Sequence, residues 1–328
     1  MFTIRMRPAG SWLSPAIRRM CVSADALLEG FRPGVMERLG LGPEDCARAN
    51  PRLVYGRMTG WGQDGPMASR AGHDINYVAL SGVLGMLGRS GERPAPPLNV
   101  IGDMGGGLMG VIGVLSALLA REQTGRGQHV DISMLDTQIS LLNYMVTMHA
   151  LSGNIPERMG NGHMVHVPYD VFQCADGYIV IAIIMDEFWG RLLQVIPAGD
   201  LDTEENQFQP GRLKNKGLIN RRLNEILSTN TQKYWLERLQ SARIPCAPVN
   251  NLRQSLTDEQ VLFRNMVVDV EHPLGGSTKI PGNPIKLSDT YEDTFNPPPL
   301  LGQHNEEVFT TLGMTREDLD ALQNAGVI

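Results

Sequence analysis

Apolar positions along the chain recur with two different periods, and each change of period marks an element. Starting at Ala24, a short helix or strand leads into the turn Phe31-Arg32-Pro33-Gly34 and then a short helix over 35–39, because Pro-Gly is strong punctuation. The Leu, Val and Tyr content of 52–58 predicts a buried strand. It runs into Thr59-Gly60-Trp61-Gly62-Gln63-Asp64-Gly65-Pro66, too rich in glycine for a regular element and suited to a ligand-carrying loop. Over 74–87, Ile75, Val78, Ala79, Gly82, Val83 and Met86 recur at helical steps, which predicts a helix with His73 at its N-terminus. Three prolines make 89–99 a loop. A long apolar helix then follows Val100-Ile101-Gly102-Asp103-Met104-Gly105-Gly106-Gly107, ending near Gln123 at the glycine stop Thr124-Gly125-Arg126-Gly127.

Residues 129–134 alternate as a strand does, and 135–151 are helical in composition. The polar, irregular stretch 153–167 reads as a linker. Beyond it, a hairpin is predicted over 169–184 around Ala175-Asp176-Gly177, with helices from Glu187 and over 218–242. The stretch 245–299 is rich in proline, and a last helix follows Thr315. Helices between strands indicate an α/β fold with an inserted or appended smaller domain.

Composition narrows the function. A chain of 328 residues with 42% hydrophobic content can bury a sizeable core. Its formal net charge of -6 excludes nucleic acid as the main partner, since a phosphate backbone requires a concentrated basic surface. Cys21, Cys46, Cys174 and Cys246 form no C-x-x-C pair and lie far apart in sequence, so neither a zinc site nor a disulfide framework is expected, and a reducing cytoplasm fits. The apolar run from Leu108 carries glycines and regains charge at Arg121, which predicts a buried helix and no membrane span. The first twenty residues hold Arg5, Arg7, Arg18 and Arg19 and no acidic residue, a composition like that of a transit peptide or of a chain started out of register. No helix or strand is expected before Ala24.

Several residues could carry chemistry. Asp103, followed closely by three glycines, reads either as a carboxylate displayed at a helix N-terminus or as an ordinary helix-start aspartate. His73 reads as a base kept neutral by a helix N-terminus or as a surface capping residue. Arg32, Arg38 and Arg57 could hold phosphates or be plain surface charges, and Phe31 could stack on a base or belong to the core.

Taken together and in order, Phe31-Arg32-Pro33-Gly34, the 59–66 loop, Ile101-Gly102-Asp103-Met104-Gly105-Gly106, Thr124-Gly125-Arg126-Gly127-Gln128 and Leu300-Leu301-Gly302-Gln303-His304 resemble the family III CoA-transferases, which include the 2-methylacyl-CoA racemases. The resemblance implies a Rossmann-like large domain built from both chain ends (1–135 and 270–328), a linker (136–168), a smaller α+β domain (169–245), a second linker (246–269) and an interlocked homodimer. It implies an acyl-CoA thioester and a carboxylate acceptor as substrates, with no metal and no permanently bound cofactor. Asp103 would be the nucleophile, forming an aspartyl-acyl anhydride. Phe31, Arg32, Arg38 and Arg57 would contact CoA, and the backbone of Gly105 and Gly106 would lie near the developing oxyanion.

The motif Gly72-His73-Asp74-Ile75-Asn76-Tyr77 resembles the racemase branch, in which His73 and Asp103 would act as paired acid and base. Met185, with Asp186 and Glu187 beyond it, stands where that branch carries a glutamate supporting the histidine. The stretch around Val167-Pro168-Tyr169 and the later Ile244-Pro245-Cys246-Ala247-Pro248-Val249-Asn250 are similar to the transferases. Family members also carry an additional N-terminal stretch with part of the CoA-adenine site, and Gly30 replaces their usual asparagine. The expectation is therefore CoA transfer, with racemisation as the alternative and a non-catalytic member or fragment as a third.

Overall fold

The computed structural model describes residues 13–290, 294–324 and 328. The chain divides into two compact units, one of residues up to Arg158 together with those from Pro299, the other Met159–Pro298. This boundary departs from the expected one at both ends. Residues 136–158, helical over 136–141 and 144–152, belong to the first unit instead of forming a linker, and both 246–269, expected as a linker, and 270–298 belong to the second.

The first unit contains α1 (Leu13–Ser23), β1 (Ala26–Glu29), α2 (Val35–Arg38), α3 (Pro43–Ala49), β2 (Val54–Thr59), α4 (Asp74–Leu80), α5 (Val83–Met86), α6 (Ile101–Thr124), β3 (His129–Ser133), α7 (Met134–Leu141) and α8 (Tyr144–Ser152). Its three strands form a parallel sheet in the order β1-β2-β3. Central β2 is buried along nearly its whole length, as a strand covered on both faces must be. Helix α6 lies against this sheet where side chains are missing: a Cβ on Gly56 would fall 3.2 Å from Val114 of α6, and one on Gly113 would fall 2.8 Å from Val130 of β3. At its far end, buried Arg121 donates to the carbonyls of Asp25 and Arg52 and to the Asp25 carboxylate. Gly125 closes the helix in the left-handed conformation at φ 71°, as the glycine stop predicted.

Three expectations change here. The apolar helix is not buried all round: Leu108, Val111, Ile112, Leu115 and Leu119, facing away from the sheet, are between 56% and 70% exposed. By length and composition alone it could cross a membrane. A helix does precede Ala24, because Ile17 and Cys21 of α1 pack with Met36, Leu41, Cys46 and Tyr55. Finally, Cys21 and Cys46, distant in sequence, meet in that cluster as free thiols with sulfurs 4.0 Å apart.

The second unit holds β4 (Tyr169–Cys174), β5 (Gly177–Ala182), α9 (Asp186–Val195), α10 (Gln209–Lys214), α11 (Lys216–Leu227), α12 (Gln232–Ser241), β6 (Cys246–Pro248), α13 (Leu252–Leu256), α14 (Glu259–Phe263), β7 (Val267–His272) and β8 (Gly276–Pro281). The predicted hairpin is β4 and β5, joined antiparallel by β6. The β7–β8 hairpin, inside the proline-rich stretch, was not anticipated. Helices α9, α11 and α12 supply Trp189, Leu223 and Trp235 to a core shared with this sheet. Fully buried Arg212 donates to the Val167, Asn206 and Gln207 carbonyls and to Asp186 at 2.6 Å. The chain ends of the first unit meet in a small cluster where Ala16 of α1 packs on Phe309 and Leu319. Those two residues come from α15 (Asn305–Thr311) and α16 (Arg316–Asn324).

Candidate active site

Asp103 is the third residue of α6, and its side chain is exposed. Val100 occupies the N-cap with φ 44° and no side-chain cap, a conformation uncommon for a β-branched residue. The cap comes instead from another helix. Asp74, first residue of α4, accepts through one carboxylate oxygen from the N–H of Gly102 at 2.6 Å and of Asp103 at 3.0 Å. On the far side of the same turn, buried Gln138 donates its amide to the Ile101 carbonyl at 3.1 Å.

The glycines around Asp103 answer to these neighbours. A Cβ on Gly102 would fall 2.7 Å from the capping oxygen of Asp74. On Gly105 it would fall 3.0 Å from Thr137, and on Gly106 2.8 Å from Met134, both residues of α7. Gly105 and Gly106 are buried inside the helix, where their N–H groups belong to its own i→i−4 ladder. They let α7 approach α6, and neither presents a free N–H to an oxyanion as the sequence reading expected.

His73 is the N-cap of α4, exposed, with its N–H donated to Asn76 Oδ1 at 2.9 Å. Helix α4 is anchored by Tyr77. Its ring meets Trp61 edge-on at 4.7 Å, and a Cβ on Gly60 or Gly72 would fall 2.2 Å or 2.7 Å from it. Within the loop after β2, Thr59 accepts from the Gly62 N–H, the Gln63 N–H reaches Asp131, and Trp61 donates to the Arg70 carbonyl. Gly60 and Gly72 therefore serve an aromatic anchor and leave room for Tyr77 rather than for a ligand.

Electrostatics bring several candidates together. The desolvation Asp103 experiences at the helix end pushes its carboxyl above the usual range; the Asp74 charge adds to the push, and His73 opposes it. Burial pushes the Tyr77 phenol up, with the Asp103 charge adding to it and Arg32 opposing. Asp103, His73, Asp74, Tyr77 and Arg32 thus share one electrostatic neighbourhood.

Arg57 does not belong to it. This side chain, 5% exposed, donates to buried Glu29 at 2.7 Å and, through both terminal nitrogens, to Glu37. The second oxygen of Glu29 accepts from the Phe31 N–H at 2.6 Å, so the ion pair holds the Phe31-Arg32-Pro33-Gly34 turn instead of offering a cation to a phosphate. Arg32 and Arg38 are exposed and form no ion pair among the described residues, and Phe31 is 40% exposed beside them. In the second unit, Met185 is the N-cap of α9, Asp186 is committed to Arg212 and Glu187 pairs with Arg191.

Sequence reasoning missed Asp74, Tyr77 and Gln138. The first two stand in the quoted 72–77 motif, where an aspartate opening a helix was a usable signal; nothing marked Gln138.

Residues 14–305 match the family model described as CoA-transferase family III. The chain is 35% identical over 284 residues to an acetyl-CoA:oxalate CoA-transferase of Acetobacter aceti, covering 85% of this chain and 71% of that one. It is 32% identical over 317 residues to the human alpha-methylacyl-CoA racemase, covering 95% and 81%. Among solved structures, a CAIB/BAIF family protein from Brucella suis superposes with a TM-score of 0.84 at 28% identity, covering 94% of this chain and 81% of that one.

The Glu29–Arg57 geometry carries its own test. Arg57→Ala strands a buried carboxylate and should cost about 3–5 kcal/mol in urea unfolding, whereas exposed Arg38→Ala should stay within about 0.5 kcal/mol. Equal, small losses for both would contradict the structural role given to Arg57.

Proposed function

The chain belongs to CoA-transferase family III, and from that footing we propose that it transfers CoA between an acyl-CoA thioester and a carboxylate through a covalent intermediate on Asp103. The observation that carries this reading is an exposed carboxylate in the first turn of α6 whose neighbours hold the turn in place. A carboxylate pushed above its ordinary range is a more basic and hence stronger nucleophile.

In this mechanism a carboxylate oxygen of Asp103 attacks the thioester carbonyl, the C–S bond breaks and CoA leaves as a thiolate. The product on the enzyme is a mixed anhydride. The thiolate then attacks the aspartyl carbonyl, releasing the first acid and leaving an aspartyl-CoA thioester. The acceptor carboxylate attacks that thioester to form a second anhydride, and the returning thiolate takes the new acyl group and frees Asp103. Arg32 and Arg38 are the cations available for CoA phosphates, and Phe31 is the ring available for its base.

Racemisation of a 2-methylacyl-CoA is the second reading. It is favoured by His73 lying within electrostatic reach of Asp103, which an acid–base pair on one α-carbon requires. Met185, which cannot orient an imidazole, weighs against it.

The reading includes a second copy of the chain. The outward face of α6 exposes Leu108, Val111, Ile112, Leu115 and Leu119, and Ile139 and Leu141 of α7 and Tyr144, Val146 and Met148 of α8 are exposed as well, apolar surface of the kind that marks an interface. Light scattering should give twice the 36.0 kDa chain mass; a monomer at micromolar concentration would contradict this part.

Incubation with an acyl-CoA followed by hydroxylamine trapping and peptide mass spectrometry should find the modification on Asp103. Asp103→Ala should lose the adduct and roughly ten-thousand-fold or more in turnover, the scale of removing a nucleophile. Unchanged turnover in that variant would sink the mechanism.

A further inference from the structure

We propose that Asp74 is a positioning residue for Asp103, supplying the cap that α6 lacks and setting a like charge beside the reacting carboxylate. The inference rests on the reading of Asp103 as that carboxylate.

The first N–H groups of a helix have no partner inside it, and they carry the positive end of its dipole. In a capping box the N-cap side chain satisfies one of them and the side chain at the third helical position reaches back to the N-cap N–H. Asp103 occupies this position, with Val100 as N-cap. A valine N-cap leaves those groups without a side-chain partner, and N–H groups left free beside a carboxylate stabilise its charge and weaken it as a nucleophile.

Asp74 takes up two of those N–H groups itself: its Oδ1 accepts from Gly102 and Asp103, the donors that an N-cap side chain would otherwise satisfy. The approach is possible because position 102 has no Cβ, which would stand 2.7 Å from the same oxygen. Asp74 in turn sits at the start of a helix fixed by the Asn76–His73 hydrogen bond and by Tyr77 wedged against Gly60, Gly72 and Trp61.

The charges acting on Asp103 are Asp74 and His73, both from α4. From α7 the neighbours of this part of α6 are the neutral Thr137, Gln138, Leu141 and Met134, and from β2 Met58. On β3, Asp131 is engaged by the Gln63 N–H, and on β2, Arg57 is paired with Glu29 and Glu37. Asp74 therefore acts twice: it caps the turn, and as a like charge it disfavours ionisation of Asp103 and keeps it basic.

Asp74→Asn separates these effects, since the amide oxygen still accepts both hydrogen bonds while the charge is gone. The readout is carbodiimide labelling of Asp103 in the full chain as a function of pH, located by peptide fragmentation. It requires no turnover, so it stands whatever chemistry Asp103 performs. The pH midpoint of labelling should fall by on the order of one unit in Asp74→Asn, with the same fall when His73→Gln is the parent. Asp74→Ala should also lose the cap and melt about 2–4 °C lower than Asp74→Asn. A labelling midpoint unmoved in Asp74→Asn, or equal melting of the Ala and Asn variants, would overturn the proposal.

Discussion

The first turn of α6 has to be held from outside, because its N-cap is a valine in a left-handed conformation and cannot hold it from within. Two hydrogen bonds to one Asp74 oxygen, and one from Gln138 to the Ile101 carbonyl, do this. Each hydrogen bond is modest on its own, about 1 kcal/mol, with the charged ones stronger. Their weight lies in geometry, since they tie α4 and α7 to the end of the helix that presents Asp103. The other end is tied by Arg121 to Asp25, ahead of β1, and between the two ends the glycines of α6 and β2 set the depth of its seat on the sheet. The exposed carboxylate of Asp103 is thereby carried on a helix fixed at both ends.

A second constraint shapes the turn expected to meet CoA. Burying Arg57 is tolerable only because Glu29 and Glu37 both accept from it, and Glu29 spends its remaining oxygen on the Phe31 N–H. The network positions the Phe31-Arg32-Pro33-Gly34 backbone while leaving Phe31, Arg32 and Arg38 exposed. One buried arginine thus serves two exposed ones.

Much of this was legible in the chain. The period-based reading located β2, β3, α6 and its glycine stop, and the β4–β5 hairpin, because each has a strong local pattern. The predicted single helix over 74–87 is divided at Gly82, whose φ of 88° breaks it after Leu80. What local pattern could not carry was partnership. A glycine announces a close approach without saying by what, so Gly105 and Gly106, expected near an oxyanion, are room for Thr137 and Met134, and Gly102 is room for Asp74. Arg57 looked like its exposed neighbours in type, and only the fold brings Glu29 and Glu37 onto it. Helix α1 and the β7–β8 hairpin were missed because their support is tertiary: α1 packs on residues of α2 and α3 and on the far end of the chain.

Whether Asp103 works alone as a nucleophile or with His73 on an α-proton is decided by following the α-carbon and the acyl group in one tube. The purified chain would be given a 2-methylacyl-CoA in heavy water, with and without oxalate, succinate or glutarate, and the thioesters weighed by mass spectrometry. CoA transfer through Asp103 predicts a new dicarboxylyl-CoA and no deuterium in the 2-methylacyl group. Deuterium at the α-carbon with the acyl group unchanged, whatever acid is present, would contradict it and make the chain a racemase.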